Sequence, residues 1–216
     1  MVLALTIGRR LGCIEEKEGR LRTTPEAERW SARTRADRVR DMFSAFVDAQ
    51  ELPELRLFFP EIAAAMEKHM PPRSLRRTYH KVLPAQVLGE QPEGVWHTLD
   101  GFVDTLRQLD VNVMFLEERW RAIESNARDF TPAWQDRAWQ AHERRFFGWL
   151  VGTFLVELGM VEIVEDRGLF RVTSVGRYAL GTAPAPPDRG NGCRDALVVQ
   201  PDFEIIAYLD LCPADL

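Results

Sequence analysis

The segment LGMVEIVEDRGLFRVTSVGRYAL, residues 158–180, contains the pattern that decides the predicted fold. At Gly159 the apolar spacing changes from the helical period to a strand-like one. Residues 160–164 and 169–172 predict two short strands joined by the turn 165–168, which together form a β-hairpin. Upstream, Thr131-Pro132 is typical of a helix start, and apolar residues then recur at helical spacing as far as Leu158. The segment therefore predicts a long helix that leads directly into a hairpin.

A second segment near the N-terminus, LGCIEEKEGRLRTTPEAERW at 11–30, repeats this order. Leu11-Gly12 matches Leu158-Gly159, and Thr24 matches Thr173, with a turn that is two residues shorter. Both segments follow the order of the C-terminal half of a winged helix, which is the third helix, a strand, the wing and a second strand. The sequence thus predicts two winged-helix-like units, although any helix followed by a hairpin would share part of the pattern. Only ten residues precede Leu11, so we expect this chain to be a fragment of a longer protein.

The predicted fold class is mainly α with small β-hairpins (α+β), with winged-helix-like elements flanking a helical middle region. Apolar spacing predicts helices over 25–50, 55–66, 73–83, 99–109 and 114–123. The stretch 181–195 contains three Pro and three Gly, which is typical of a linker. The predicted organisation is a partial winged-helix-like unit at 1–35, a helical region ending in the second such unit at 36–180, the linker at 181–195, and the start of a truncated αβ domain at 196–216.

Composition limits the classes of protein to which this chain could belong. Its net charge is −5 and 45% of its residues are hydrophobic, a globular mixture. The sequence has neither a run of about 18 apolar residues nor a secretory signal, so we expect a cytoplasmic protein with no membrane partner. Three cysteines, which cannot all pair within the chain, are also more typical of a reducing compartment.

The sequence lacks motifs that bind phosphate or metal, and it lacks a motif that carries a catalytic nucleophile. Neither of the Gly-rich phosphate-binding motifs, G-x-x-x-x-G-K-[ST] and G-x-G-x-x-G, occurs in it. It also has no G-x-S-x-G elbow and no His or Cys at zinc-ligand spacing. We therefore predict a protein that is not an enzyme and that uses no cofactor or metal. A site assembled from distant residues is the alternative.

The string ALVVQPDFEII at 196–206 follows the linker. It resembles the "VVQPD" strand–turn–strand segment in the N-terminal region of XPB-type DNA repair helicases and in bacterial helicase-associated proteins. In that family the segment follows a winged-helix stretch, as it follows 146–180 here. The resemblance implies a non-catalytic region attached to a helicase or to a helicase-like protein.

Positive charge is concentrated near the N-terminus, where residues 1–40 contain ten basic and six acidic groups. The predicted nucleic-acid-binding residues lie on the third helix and hairpin of the first unit: Arg9, Arg10, Lys17, Arg20 and Arg22. A solvated charged face is the alternative interpretation. The second unit has only Arg144 and Arg145, at the start of its third helix, and is predicted to be structural or to contact protein.

A further basic cluster on the helix 73–83 combines Arg73, Arg76, Arg77, His80 and Lys81. Helical spacing places several of these side chains on one face, which would suit an anion. We prefer the interpretation as a surface stripe that forms ion pairs with acids such as Glu67.

These observations predict a non-catalytic, DNA-associated or helicase-associated winged-helix module that positions DNA or a partner domain. Its expected partners are DNA, bound without sequence preference, and a helicase motor or another protein domain. The alternative is an assembly module that uses its winged helices for protein contacts without binding DNA. Salt-dependent DNA binding distinguishes the two hypotheses.

Overall fold

The computed structural model describes residues 2–69, 75–110, 136–137, 139–187, 197–199 and 205–207. Within these ranges the protein is mainly helical with small antiparallel sheets, which confirms the predicted α+β class. The chain divides into two compact units, Met1–Pro186 and Pro187–Leu216. The helix predicted over 114–123 lies outside the described residues.

The N-terminal part of the first unit is a hairpin among short helices. Its elements are α1 (Val2–Arg10), β1 (Ile14–Lys17), β2 (Arg20–Thr23), α2 (Pro25–Ser31), α3 (Arg35–Val47), α4 (Pro53–Phe58) and α5 (Pro60–His69). The single helix predicted over 25–50 is wrong, because Thr34 accepts a hydrogen bond from the Asp37 amide and begins a new helix. The helix predicted over 55–66 is likewise divided in two at Phe59 and Pro60.

The remaining elements of the first unit form a three-stranded sheet with helices around it. They are α6 (Leu75–Gly89), β3 (His97–Thr98), α7 (Leu99–Leu109), α8 (139–157), β4 (Val161–Val164), β5 (Leu169–Val172) and α9 (Ser174–Ala179). Helix α8 joins α-helical segments to two π-helical turns, Trp139–Glu143 and Leu150–Phe154. The strand order is β3-β5-β4, and both pairings are antiparallel. The hairpin predicted over 160–172 is present, whereas β3 was not predicted.

Helix α8 lies at the centre of the core. Its Phe154 ring is 4.5 Å from the Phe46 ring of α3, and its Phe146 ring is 5.3 Å from the His80 ring of α6. On another side, Trp149 packs 4.9 Å from Phe58 of α4. Eight α8 residues are buried: Trp139, Glu143, Phe146, Phe147, Leu150, Val151, Phe154 and Leu155. This helix therefore contributes its apolar surface to the interior on several sides.

The two segments with similar sequences, 11–30 and 158–180, also have the same pattern of hydrogen bonds. Gly12 and Gly159 have φ of +69° and +71°, the left-handed conformation that ends a helix. The next amide donates five residues back in each copy, from Cys13 to the Gly8 carbonyl and from Met160 to the Leu155 carbonyl, both at 2.9 Å. The two helix ends thus have the same geometry.

The far ends of the hairpins match as well. The Thr24 hydroxyl donates to the Gly12 carbonyl at 2.5 Å, and the Thr173 hydroxyl donates to the Gly159 carbonyl at 2.8 Å. Each threonine also caps the helix that follows, α2 in the first copy and α9 in the second. Counting from these junctions, Leu21 on β2 occupies the position of Phe170 on β5.

The second unit contains β6 (Leu197–Val199) and β7 (Ile205–Ala207), which pair antiparallel. The sequence predicts two strands at 196–199 and 204–208, around Pro201-Asp202, and β6 and β7 fall within them, whereas the turn itself lies outside the described residues. Of the predicted linker, 181–187 is described, and 188–195 lies outside.

Candidate interaction surface

The predicted nucleic-acid-binding residues lie on α1 and on the hairpin β1–β2, which pack against each other within Met1–Pro186. Lys17 and Arg20 face each other across the end of the hairpin. They flank a tight turn in which Glu18 and Gly19 both have positive φ, 54° and 72°. This conformation is that of a two-residue hairpin turn, and it holds the two cations at the tip.

Three of the five predicted cations are engaged by acids. Arg9 donates to the Glu16 carboxylate at 2.7 Å, while Arg10 donates to the Asp48 carbonyl at 2.8 Å and lies 3.3 Å from Glu51. Arg22 lies 3.9 Å from Glu18. By contrast, neither Lys17 nor Arg20 has an ion-pair partner among the described residues. Of the five predicted cations, only Lys17 and Arg20 therefore keep an unpaired charge among the described residues, and both lie at the hairpin tip.

The two arginines near the start of α8, Arg144 and Arg145, also have partners within the protein. Arg144 forms ion pairs with Asp100 and Asp104 of α7. The Arg145 guanidinium lies 6.0 Å from the centre of the Phe59 ring. Both arginines thus contact neighbouring elements of the protein.

A buried charged cluster links three helices in the interior. Glu54, His80 and Lys81, which we call the buried triad, are at most 1% exposed. His80 Nε2 lies 2.7 Å from Glu54 Oε1, and Lys81 Nζ lies 3.4 Å from the same oxygen. Lys81 also donates to the carbonyls of Phe46 and Ala49 at 2.8 and 2.7 Å, so it satisfies the C-terminal end of α3.

Burial and charge act in opposite directions on the triad. Burial raises the pKa of Glu54, but the charge of Lys81 and the hydrogen bond from His80 outweigh it, so the net shift is downward. Burial lowers the pKa of His80 below its usual value in spite of the Glu54 contact. Burial also lowers the pKa of Lys81, against the attraction of Glu54. A buried Glu–Lys ion pair with a neutral His is the arrangement that these shifts favour.

The prediction of a surface basic stripe on the helix 73–83 is wrong for His80 and Lys81. Both side chains point inward because Glu54 and the carbonyls of Phe46 and Ala49, at the end of α3, supply partners there. Glu67, the expected partner, instead pairs with Arg56 at 2.7 Å. The side chains of Arg73, Arg76 and Arg77 lie outside the described residues. An isolated helical face carries no signal that it will be covered, so sequence periodicity alone could not find the triad.

The triad has no route to a substrate, since each of its three side chains is enclosed. Two of its atoms, Glu54 Oε2 and His80 Nδ1, have no hydrogen-bond partner in the described part of the protein. Groups of His, Cys, Asp and Glu that could hold a metal ion do not occur among the described residues. Likewise, none of the helices described here has the length and apolar character needed to cross a membrane.

Comparisons with models of protein families, with curated proteins and with solved structures returned no match to this chain.

Proposed function

We propose that this chain is a non-catalytic, helicase-associated winged-helix module that positions a partner domain. A winged helix has three helices and a hairpin, and the hairpin's second strand pairs with a short strand between the first two helices. The order α6, β3, α7, α8, β4, β5 and the strand order β3-β5-β4 support this assignment for residues 75–172. In the first copy, α1 and the hairpin β1–β2 correspond to the third helix and the wing.

The burial of α8 is the observation that carries the proposed function. A winged helix that reads DNA inserts its third helix into the major groove, so that helix must have an exposed polar face. Here the corresponding helix packs one side against α3, α4 and α6, and residues such as Phe146 and Phe154 are at most 5% exposed. Its exposed positions are Gln140, Ala141, Arg145, Thr153 and Glu157, which carry one positive and one negative charge. A solvent face with so little positive charge supports a structural role for the winged-helix-like segment 75–172.

The resemblance of 196–206 to the "VVQPD" segment supports association with a helicase motor. The experiment is a titration of the chain against the purified motor domains of an XPB-type helicase, measured by calorimetry. We expect a saturable complex and no ATP hydrolysis by the chain alone. Absence of a complex, or ATP hydrolysis that a point substitution in the chain abolishes, would contradict the proposal.

Sequence-independent contact with DNA is the second candidate function. The observation that favours it is the exposed, unpaired positive charge of Lys17 and Arg20 at the hairpin tip. Binding of a fluorescent duplex that weakens steeply with salt would support this candidate. Absence of binding at low salt would leave the role as a protein-contacting module.

A further inference from the structure

The two hairpins differ in what pairs with their second strand. Strand β5 lies between β4 and β3, with His97 opposite Phe170 and Thr98 opposite Leu169. The Leu99 amide extends this ladder by donating to the Gly168 carbonyl at 2.8 Å. Strand β2, its counterpart, pairs with β1 alone among the described residues. The outer edge of β2 therefore lacks the strand that completes the second sheet.

The side chains at this edge differ in the same way. Phe170 is 0% exposed, and its ring lies 5.5 Å from that of Phe102 on α7 and 5.9 Å from that of His97 on β3. Leu21, which occupies the same position in the first copy, is 49% exposed. The strand–helix segment β3–α7 thus covers in one copy the position that is open in the other.

The backbone of β2 is oriented to accept a further strand. In a two-residue hairpin turn the closing pair, here Lys17 and Arg20, is hydrogen-bonded, and pairs alternate along the ladder. The next pair along the ladder, Glu16–Leu21, is therefore a non-hydrogen-bonded pair. The Leu21 N–H and C=O then point away from β1. A donor and an acceptor at an open edge are a template for another strand.

Charge restricts what can bind this edge. Lys17 and Arg20 have no acidic partner in the described part of the chain, whereas Glu16 pairs with Arg9 and Glu18 lies 3.9 Å from Arg22. Glu15, opposite Arg22, is the remaining acid of the hairpin, so its unpaired groups leave a small net positive charge. A segment with net negative charge would therefore complement the edge, whereas a basic one would be repelled. The covering segment of the second copy is also acidic, since residues 95–110 contain three Asp and one Arg, although Asp100 and Asp104 pair there with Arg144 of α8.

We propose that the open edge of β2, together with Leu21, is a docking surface for an acidic strand–helix segment of a partner protein. The segment adds a strand beside β2 and lays an apolar helical residue on Leu21, as β3–α7 does on Phe170. The inference rests on the proposed positioning function, and it names the surface that the partner occupies. Nucleic acid at the same cations is the competing outcome of the test.

The experiment measures binding of a fluorescein-labelled peptide of residues 95–110 to the full chain by anisotropy. The test variant is Leu21→Asp, and the matched control is Leu57→Asp, since Leu57 on α4 is also exposed, at 62%. We expect Leu21→Asp to weaken peptide binding about tenfold or more, because it removes the apolar contact and adds a negative charge. The control should bind within about twofold of the wild type.

Three results of the peptide assay would overturn the inference. The wild type fails to bind the peptide, Leu21→Asp binds it as tightly as the wild type, or both leucine variants weaken it equally. A labelled duplex that binds while the peptide does not would assign the edge to nucleic acid. A complex with the helicase motor that persists unchanged in Leu21→Asp would contradict this inference and leave the proposed function intact.

Discussion

At the scale of single residues, Glu54 has the largest expected effect on stability. It is the only acidic group of the buried triad, and Lys81 is held beside it with a side chain that is 0% exposed. Removing the charge of Glu54 leaves a buried ammonium without its counter-ion. Breaking a buried ion pair from one side typically costs about 3 to 5 kcal/mol.

We therefore expect Glu54→Gln to lower the free energy of unfolding by about 3 kcal/mol or more, measured by urea denaturation. The matched control is Glu67→Gln, because the Glu67–Arg56 pair is partly exposed and should contribute about 1 kcal/mol or less. Equal effects of the two substitutions would show that the triad does not retain its charges in the folded protein.

His80 gives the stability a pH dependence of defined sign. Burial lowers its pKa in the folded state, so the unfolded chain binds a proton at a higher pH than the folded one. Its contribution is fully present above the unfolded pKa, about 6.5, and is lost as pH falls through the folded pKa. Stability should therefore decrease from pH 7 towards pH 5, by at most about 1.4 kcal/mol per pH unit from this residue.

The measurement is the free energy of unfolding at several pH values for the wild type and for His80→Asn. We expect the substitution to remove most of the slope between pH 7 and pH 5, whatever its effect on stability at pH 7. A slope that remains unchanged in the variant would contradict the assignment to His80.

At the scale of elements, the junction between β5 and α9 depends on the absence of a side chain. A Cβ at Gly176 would lie 2.1 Å from the Met160 carbonyl oxygen, well inside van der Waals contact. Gly148 on α8 is the matched control, since a Cβ there meets no atom within 4 Å. Both glycines are in helices, so the comparison separates close packing from helix propensity.

We expect Gly176→Ala to destabilise the protein by about 3 kcal/mol, the upper range for overpacking. Gly148→Ala should stabilise it by about 0.5 to 1 kcal/mol through helix propensity. Thermal unfolding followed by circular dichroism measures both changes. Similar melting temperatures for the two variants would mean that α9 can move away from Met160 at little cost.

For the second candidate function, DNA contact, the hairpin tip determines the expected response to mutation. Arg9 and Arg10 are already engaged by Glu16 and Glu51, whereas Lys17 and Arg20 are free of acidic partners in the described residues. We expect the double change Lys17→Ala and Arg20→Ala to flatten the salt dependence of duplex binding by about two units. The matched double change Arg9→Ala and Arg10→Ala should flatten it less.

A salt titration of anisotropy with two unrelated duplex sequences measures this difference. A larger effect from the Arg9 and Arg10 substitutions would show that DNA displaces their acidic partners. Different effects on the two sequences would contradict binding through phosphates alone.

At the scale of the whole molecule, the chain divides near Pro186, within the predicted linker. The composition of 182–194, with its Pro and Gly and almost no large apolar residue, offers nothing to bury. We expect limited trypsin digestion, followed by mass spectrometry, to cut at Arg189 or Arg194 before any site within 141–180. First cleavage within 141–180 would contradict the two-part organisation.

What the sequence alone determined about this protein lies in its local signals. Glycines at 12 and 159, threonine caps at 24 and 173, and alternating apolar residues predict both helix-to-hairpin junctions and the overall α+β class. Such signals work because a cap, a turn or a left-handed residue is decided by atoms a few residues apart.

Only the tertiary structure decided what covers each element. Arg10 pairs with Glu51, 41 residues away. Lys81 donates hydrogen bonds inside the protein to carbonyls more than 30 residues before it. Strand β3 has two residues, too few for any periodicity, and exists because β5 offers it hydrogen bonds. Long-range packing also buries one side of α8 and leaves Leu21 exposed, since burial depends on which distant surfaces meet rather than on the spacing of residues along the chain.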